Sequence, residues 1–279
     1  MGGTELTRLV ARLVPEMRRR GPYRPPGADE AASLAVLAEA LGRGDAAAAR
    51  EVGASLGLAA TEDGGRLLLA SDPGAERAWL VVALRCGVAP GAVVEVPHPN
   101  ADLDTEHVGL ALADRRPGAL YLQACAHRGA GAPADAGDRA DFPADVAARD
   151  DAPFSRVAAG LASRGLAQIQ LHGFADRGDV DVVLSPGAAP AGTLLDAVRA
   201  RLTTAGERVG EDDDPRWADL LGRRNVQGRA AAEAGAAFVH LELSRSLRRD
   251  PERREAVADA LAGALDDVAG DASGGICWR

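Results

Sequence analysis

The chain contains no lysine: all 32 of its basic Lys+Arg positions are Arg. That absence excludes a P-loop, whose lysine holds the β- and γ-phosphates. It also excludes lysine Schiff bases, including a pyridoxal-phosphate lysine, and Ser-Lys nucleophile pairs. Aromatic residues make up only 3% of the chain against 60 Ala, so many core positions must be small. Cysteine is scarce: Cys86, Cys125 and Cys277 are far apart, with no CxxC or zinc-finger spacing. An odd count of isolated cysteines fits a reducing compartment. No apolar run approaches a membrane span. Arg8 and Arg12 stand near the start without an apolar stretch long enough for a signal peptide. A soluble cytoplasmic protein is the expectation. GxSxG, HExxH and a GxGxxG following a strand are all missing.

What is present suits a globular α/β protein. The 279 residues suggest one large domain, or a main domain with a small appendage. A hydrophobic fraction of 47% is ample for a core. The 41 acidic residues outnumber the arginines for a net charge of -9. That balance argues against nucleic acid or an anionic membrane as partner.

Residues 1–62 read as a helical N-terminal extension. A helix over Leu6–Met17 gives way to the Pro/Gly stretch Gly21–Gly27, and Ala and Leu then recur at helical spacing over 29–59. Residues 63–279 read as the main domain. Arg66–Ser71, Trp79–Arg85, Ala92–Val96, Ala119–Ala126, Ala167–Leu171, Val180–Leu184 and Ala237–Leu243 fit strands. Glu106–Ala113, Phe154–Ser163, Thr193–Ala205 and Pro251–Leu265 fit helices, with Asp104 or Thr105 as an N-cap. The alternation predicts a layered α/β fold with a parallel or mixed sheet.

There are five histidines, and position makes them informative. His98, His127 and His172 each end a predicted strand, and His240 lies within one. Ligands of α/β sheets bind beyond the carboxyl ends of strands. His98 is followed within one loop by carboxylates and a helix start, which suits half of a metal site; His172 suits a distant further ligand, the spacing of a catalytic zinc. In the alternating strand Phe238–Leu243, His240 and Glu242 share one face. A Glu in so apolar a strand is costly unless paired or used. Paired, it would meet Arg245 or Arg248; used, it would be a general base, then acid, beside a metal. Arg128 is a candidate anchor for a substrate carboxylate, which its guanidinium matches bidentately. Cys125 and His127 share a strand face, so a Cys–His nucleophile is conceivable, although a buried strand cysteine is far commoner.

Pro97-His98, Asp102-Leu103-Asp104-Thr105, Ala126-His127-Arg128, Leu171-His172-Gly173-Phe174, Asn225-Val226-Gln227-Gly228 and Val239-His240-Leu241-Glu242-Leu243-Ser244-Arg245 occur in this order over roughly 65–265. This set resembles the zinc-dependent N-formylglutamate amidohydrolase and poly-gamma-glutamate hydrolase group of carboxypeptidase-like metallohydrolases. The resemblance implies a three-layer fold with a mixed sheet and helices on both faces. It implies one zinc ion held by His98, Asp102 and His172, with Glu106 as the alternative to Asp102, and Glu242 as the catalytic residue. Arg128, His127 and His240 become substrate-binding candidates; relatives commonly carry Gln where His240 stands.

The expected function is zinc-dependent hydrolysis of an amide bond in an N-acyl amino acid or gamma-glutamyl-type peptide bearing a carboxylate. Two alternatives stand beside it: a non-catalytic binding module on the same fold that has lost its metal, and a metallopeptidase acting on ordinary peptides.

Overall fold

A computed structural model of the protein describes residues 4–136 and 142–272, so Cys277 lies outside the described residues. Three helices open the chain: α1 (Glu5–Leu13), α2 (Ala28–Gly42) and α3 (Ala46–Ser55). Thr4 and Asp45 cap α1 and α3 by accepting from the backbone N–H of Thr7 and Ala48. The strands are β1 (Ala59–Asp63), β2 (Arg66–Ala70), β3 (Leu80–Arg85), β4 (Ala92–Val96), β5 (Ala119–Ala124), β6 (Ala167–Phe174), β7 (Val182–Ser185), β8 (Val209–Gly210) and β9 (Phe238–Ser244). Between and after them lie α4 (Thr105–Arg115), α5 (Pro153–Ala162), α6 (Thr193–Thr204), α7 (Val226–Ala234), α8 (Arg245–Arg249) and α9 (Pro251–Ala272).

All nine described strands join one mixed sheet in the order β1-β2-β3-β5-β4-β6-β9-β7-β8. The centre, β5-β4-β6-β9, is parallel, while β1, β2 and β3 are antiparallel to their neighbours and β7 runs antiparallel to β9. Alternate side chains feed two cores. Leu67, Leu69, Leu80, Val82, Val93 and Leu120 face residues of α2, α3 and α5. Leu68, Val81, Val94, Ile169, Val239 and Leu241 face residues of α1, α4, α6 and α9. Helices thus cover both faces, the three-layer mixed architecture expected from the sequence, and the central strands read as continuous apolar runs for that reason. The helices of the first 58 residues belong to these layers: α1 lies in one and α2 and α3 in the other. No helix among the described residues is long and apolar enough to cross a membrane.

The sequence pattern missed β1, whose Ala-Ala-Thr-Glu-Asp is an exposed edge with no apolar alternation. It also missed α7, masked by flanking Arg and Gly, and stopped β6 at Leu171 when the strand runs on to Phe174. Asp104 does precede α4, but its backbone is left-handed (φ 72) and its side chain makes no cap bond.

The topology creates the crevice. From β4 the chain crosses through α4 to β5 on one side, then returns through α5 to β6 on the other. Such a reversal opens a gap beyond the carboxyl end of β4. His98 stands there, two residues past the strand.

Candidate metal centre

His98, Asp102 and His172 converge at that gap, each buried, with one ligand atom apiece within 4.8 Å of the others. Asp102 Oδ2 lies 3.5 Å from His98 Nδ1 and 3.1 Å from His172 Nδ1. Asp102 reaches this position because its backbone N–H turns back onto His98 O at 2.8 Å, three residues before α4 begins.

The remaining ring nitrogens are committed elsewhere. His98 Nε2 is 2.9 Å from Asp145 Oδ1, and His172 Nε2 is 2.9 Å from Gln170 Oε1. A metal-binding histidine ordinarily gives its second N–H to such a carboxylate or carbonyl, which fixes the tautomer and aims the free nitrogen. His98 Nδ1 correspondingly has no hydrogen bond among the described residues. Two imidazole nitrogens and a carboxylate oxygen facing one point form a donor set that fits a divalent cation such as zinc. Glu106, the alternative acid, is not in this set; it is turned toward Asp104 and His107 instead.

Electrostatics follow burial. Burial opposes charge on Asp102, but the His172 and His98 imidazoles beside it outweigh burial and hold the carboxyl well below its ordinary range. Burial and the Arg128 charge push His98 down; the Asp102 and Asp145 carboxylates beside its ring prevail and raise it. Burial lowers His172 and, further, His240. Glu106 is pushed up to about 7, chiefly by burial.

Glu242 is brought beside the cluster by strand register. Its β9 position pairs directly with His172 on β6, and in-register residues of parallel strands share a face. Its Oε2 is buried with no hydrogen bond among the described residues, and burial followed by the Asp102 charge raises its carboxyl well above the ordinary value. It makes no ion pair among the described residues, so the expected alternative partners Arg245 and Arg248 do not neutralise it. Arg248 instead donates to the backbone carbonyls of Leu243 (3.0 Å), Phe174 (3.0 Å) and Leu103. It thereby ties the ends of β9 and β6 to the Asp102 loop. Gly173 permits this, since a Cβ there would fall 2.3 Å from Arg248 Cζ.

Arg128 stands at the rim, its Nη1 3.4 Å from Asp102 Oδ1 and its Nε 3.5 Å from Asp145 Oδ2. His127 is half-buried beside it and accepts the Gly129 N–H on Nδ1 at 3.0 Å. His240 lies one strand row deeper, paired with Gln170, its ring centroid 4.8 Å from that of His172. Gly222 lets the chain approach that ring: it adopts φ +58, and a Cβ there would meet His240 at 2.6 Å. Cys125 does not join His127 as a nucleophile; it is fully buried, donates to Ser71 O, and burial pushes its thiol up to about 12.

Sequence reasoning missed Asp145 and Gln170. Asp145 lies in an irregular segment with many acids. Gln170 did carry a signal, a polar residue two positions before His172 in an apolar strand and so on its face.

No family model matches the chain, and no curated protein matches it. Among solved structures it is similar in fold to a bacteriophage poly-gamma-glutamate hydrolase, with 16% identity over 65% of this chain and 86% of that one, at a TM-score of 0.46. A gene product from Agrobacterium tumefaciens gives 14% identity over 64% and 89%, at 0.44. A metallo-carboxypeptidase from Burkholderia cenocepacia gives 14% over 89% and 71%, at 0.41.

Proposed function

We propose that this chain is a zinc-dependent hydrolase that cleaves an amide bond in an N-acyl amino acid or gamma-glutamyl-type peptide. The observation that carries this reading is the placement of Glu242, its Oε2 buried and unpaired among the described residues, directly beside His172 of the His98–Asp102–His172 set. Zinc bound there would polarise a substrate carbonyl and lower the pKa of a water molecule.

The protein's own groups supply the rest. Asp145 and Gln170 hold the two imidazoles so that both Nδ1 atoms face Asp102. Glu242 Oε2 takes a proton from the attacking water and returns it to the leaving amine; desolvation raises its affinity for that proton. Arg128, at the mouth and 19% exposed, orients a carboxylate on the substrate. The substrate class rests on the sequence resemblance.

Zinc-loaded protein incubated with N-acyl amino acids and gamma-glutamyl oligomers should release free amine detectable by mass spectrometry. Glu242→Gln should keep the metal and lose about 10²–10⁴-fold in kcat. Full activity in that variant would remove Glu242 from the mechanism.

A further inference from the structure

The Asn225-Val226-Gln227 motif lies more than fifty residues from both His98 and His172 in sequence, yet its side chains are buried. We infer that Asn225 and Gln227 are positioning residues that set the tautomer of His172 through the amide of Gln170. The inference rests on the metal-site reading above.

Amide orientations are assigned by partners whose donor or acceptor role cannot change. Asn225 is the N-cap of α7, and its Oδ1 accepts the backbone N–H of Gln227 at 3.0 Å and of Gly228 at 3.4 Å. A backbone N–H only donates, so Asn225 Oδ1 is fixed there and Nδ2 must point away. That Nδ2 donates to Gln170 Oε1 at 2.6 Å. Gln227 is anchored from the opposite sign: its Nε2 donates to the backbone carbonyl of Val146 at 2.8 Å and to Ser155 Oγ at 2.7 Å. Its Oε1 therefore faces Gln170 Nε2, 3.4 Å away, next to Glu95 Oε2 at 2.7 Å.

Gln170 is thus held at both ends. Its oxygen receives Asn225 and its nitrogen is given to Gln227 and Glu95. With that orientation fixed, Gln170 Oε1 accepts only from an N–H, so His172 carries its proton on Nε2. The Nδ1 lone pair then faces Asp102 Oδ2 at 3.1 Å, two acceptors opposed with a cation's place between them. The first turn of α7 therefore decides which imidazole nitrogen is free to bind metal. Gln227 also grips Val146, the residue after Asp145, so the same turn steadies the group that orients His98.

Asn225→Asp is the sharpest test. Aspartate keeps the N-cap acceptor and the shape, but offers Gln170 Oε1 no donor and sets a carboxylate against it. The new carboxylate then draws the Gln170 NH2 toward itself and His172 Nε2, against Gln227 and Glu95, which hold that NH2 in the parent. In the metal-free chain at pH 8, 15N–1H spectra of the five histidines should show His172 protonated on Nε2 in the parent and on Nδ1 in Asn225→Asp. Zinc affinity, read by chelator competition, should fall about ten- to a hundredfold. Gln170→Glu should retain zinc, because either carboxylate oxygen accepts, whereas Gln170→Met should lose it to a similar degree; this pair keeps the test open should Asn225→Asp fold poorly. An unchanged tautomer and less than threefold loss of zinc affinity in Asn225→Asp, or full zinc affinity in Gln170→Met, would overturn the inference. A tautomer switch in a chain whose parent binds no zinc would sink the metal-site reading and leave the relay standing.

Discussion

Replacing Arg248 by Met probes the clamp that joins the sheet to the metal-site loop. The side chain is 3% exposed, and its guanidinium serves the carbonyls of Leu243, Phe174 and Leu103. Met preserves much of the stem but leaves all three acceptors without their donor. Leu243 and Phe174 are buried, and each orphaned buried carbonyl costs about 1–3 kcal/mol; Leu103, 37% exposed, can turn to water at little cost. The expected loss is therefore on the order of 2–6 kcal/mol, a large share of an ordinary domain's stability. Urea unfolding of the metal-free protein measures it. Because Leu103 adjoins Asp102, zinc affinity should fall in the same variant. Arg248→Lys should recover only part of either loss, since one ammonium cannot reproduce a fork aimed at three carbonyls. Gly173→Ala, which thrusts a methyl into the guanidinium, should mimic Arg248→Met, and the double variant should cost less than the sum. A midpoint shift equivalent to less than about 1 kcal/mol in Arg248→Met, with unchanged zinc affinity, would refute the clamp.

Other expectations follow from the same structure. Asp181 is buried, paired with Arg208 and Arg253 and bonded to the Arg208 N–H, and the Arg208 hydrogen bonds chiefly depress its carboxyl. A depressed acid stabilises above its unfolded pKa of about 3.9 and loses that contribution as pH falls toward the folded value. Asp181→Asn should thus be less stable than the parent by roughly 1–3 kcal/mol at pH 7, discounted for the exposure of Arg208, with the gap closing below about pH 4 in acid titrations followed by circular dichroism. Cys125 should resist thiol reagents at neutral pH in the native state and react after denaturation, because burial raises its thiol to about 12; rapid native labelling mapped to that residue by mass spectrometry would contradict its placement. Excess zinc at about a hundred times its Kd should raise stability by about 2.7 kcal/mol in thermal scans, with no such gain in His172→Ala.

Much of this architecture was legible in the sequence because its signals are local. The bounds of β4, Ala92–Val96, follow from the sequence, since an apolar run between Gly91 and Pro97 leaves little choice. His98, His172 and Glu242 were legible because a polar group at the end of, or inside, an apolar strand stands out. What stayed hidden depends on pairing across the sheet. The neighbouring rows Glu95–Gln170–His240 and His172–Glu242 exist only through the registers of β4, β6 and β9. Asp145 could not be singled out among the acids of residues 142–151, because its distinction is a contact 47 residues away. Arg248 looked like a counter-ion for Glu242, and only the fold shows that carbonyls occupy its guanidinium.

The central claim is that His98, Asp102 and His172 hold one catalytic metal ion. Metal analysis of protein purified without chelators tests it most directly, on the parent, His98→Ala, His172→Ala and Glu242→Gln. About one zinc per chain is expected in the parent and in Glu242→Gln, and near none in either histidine variant. No zinc in the parent, or zinc retained at full stoichiometry without His98 and His172, would contradict it.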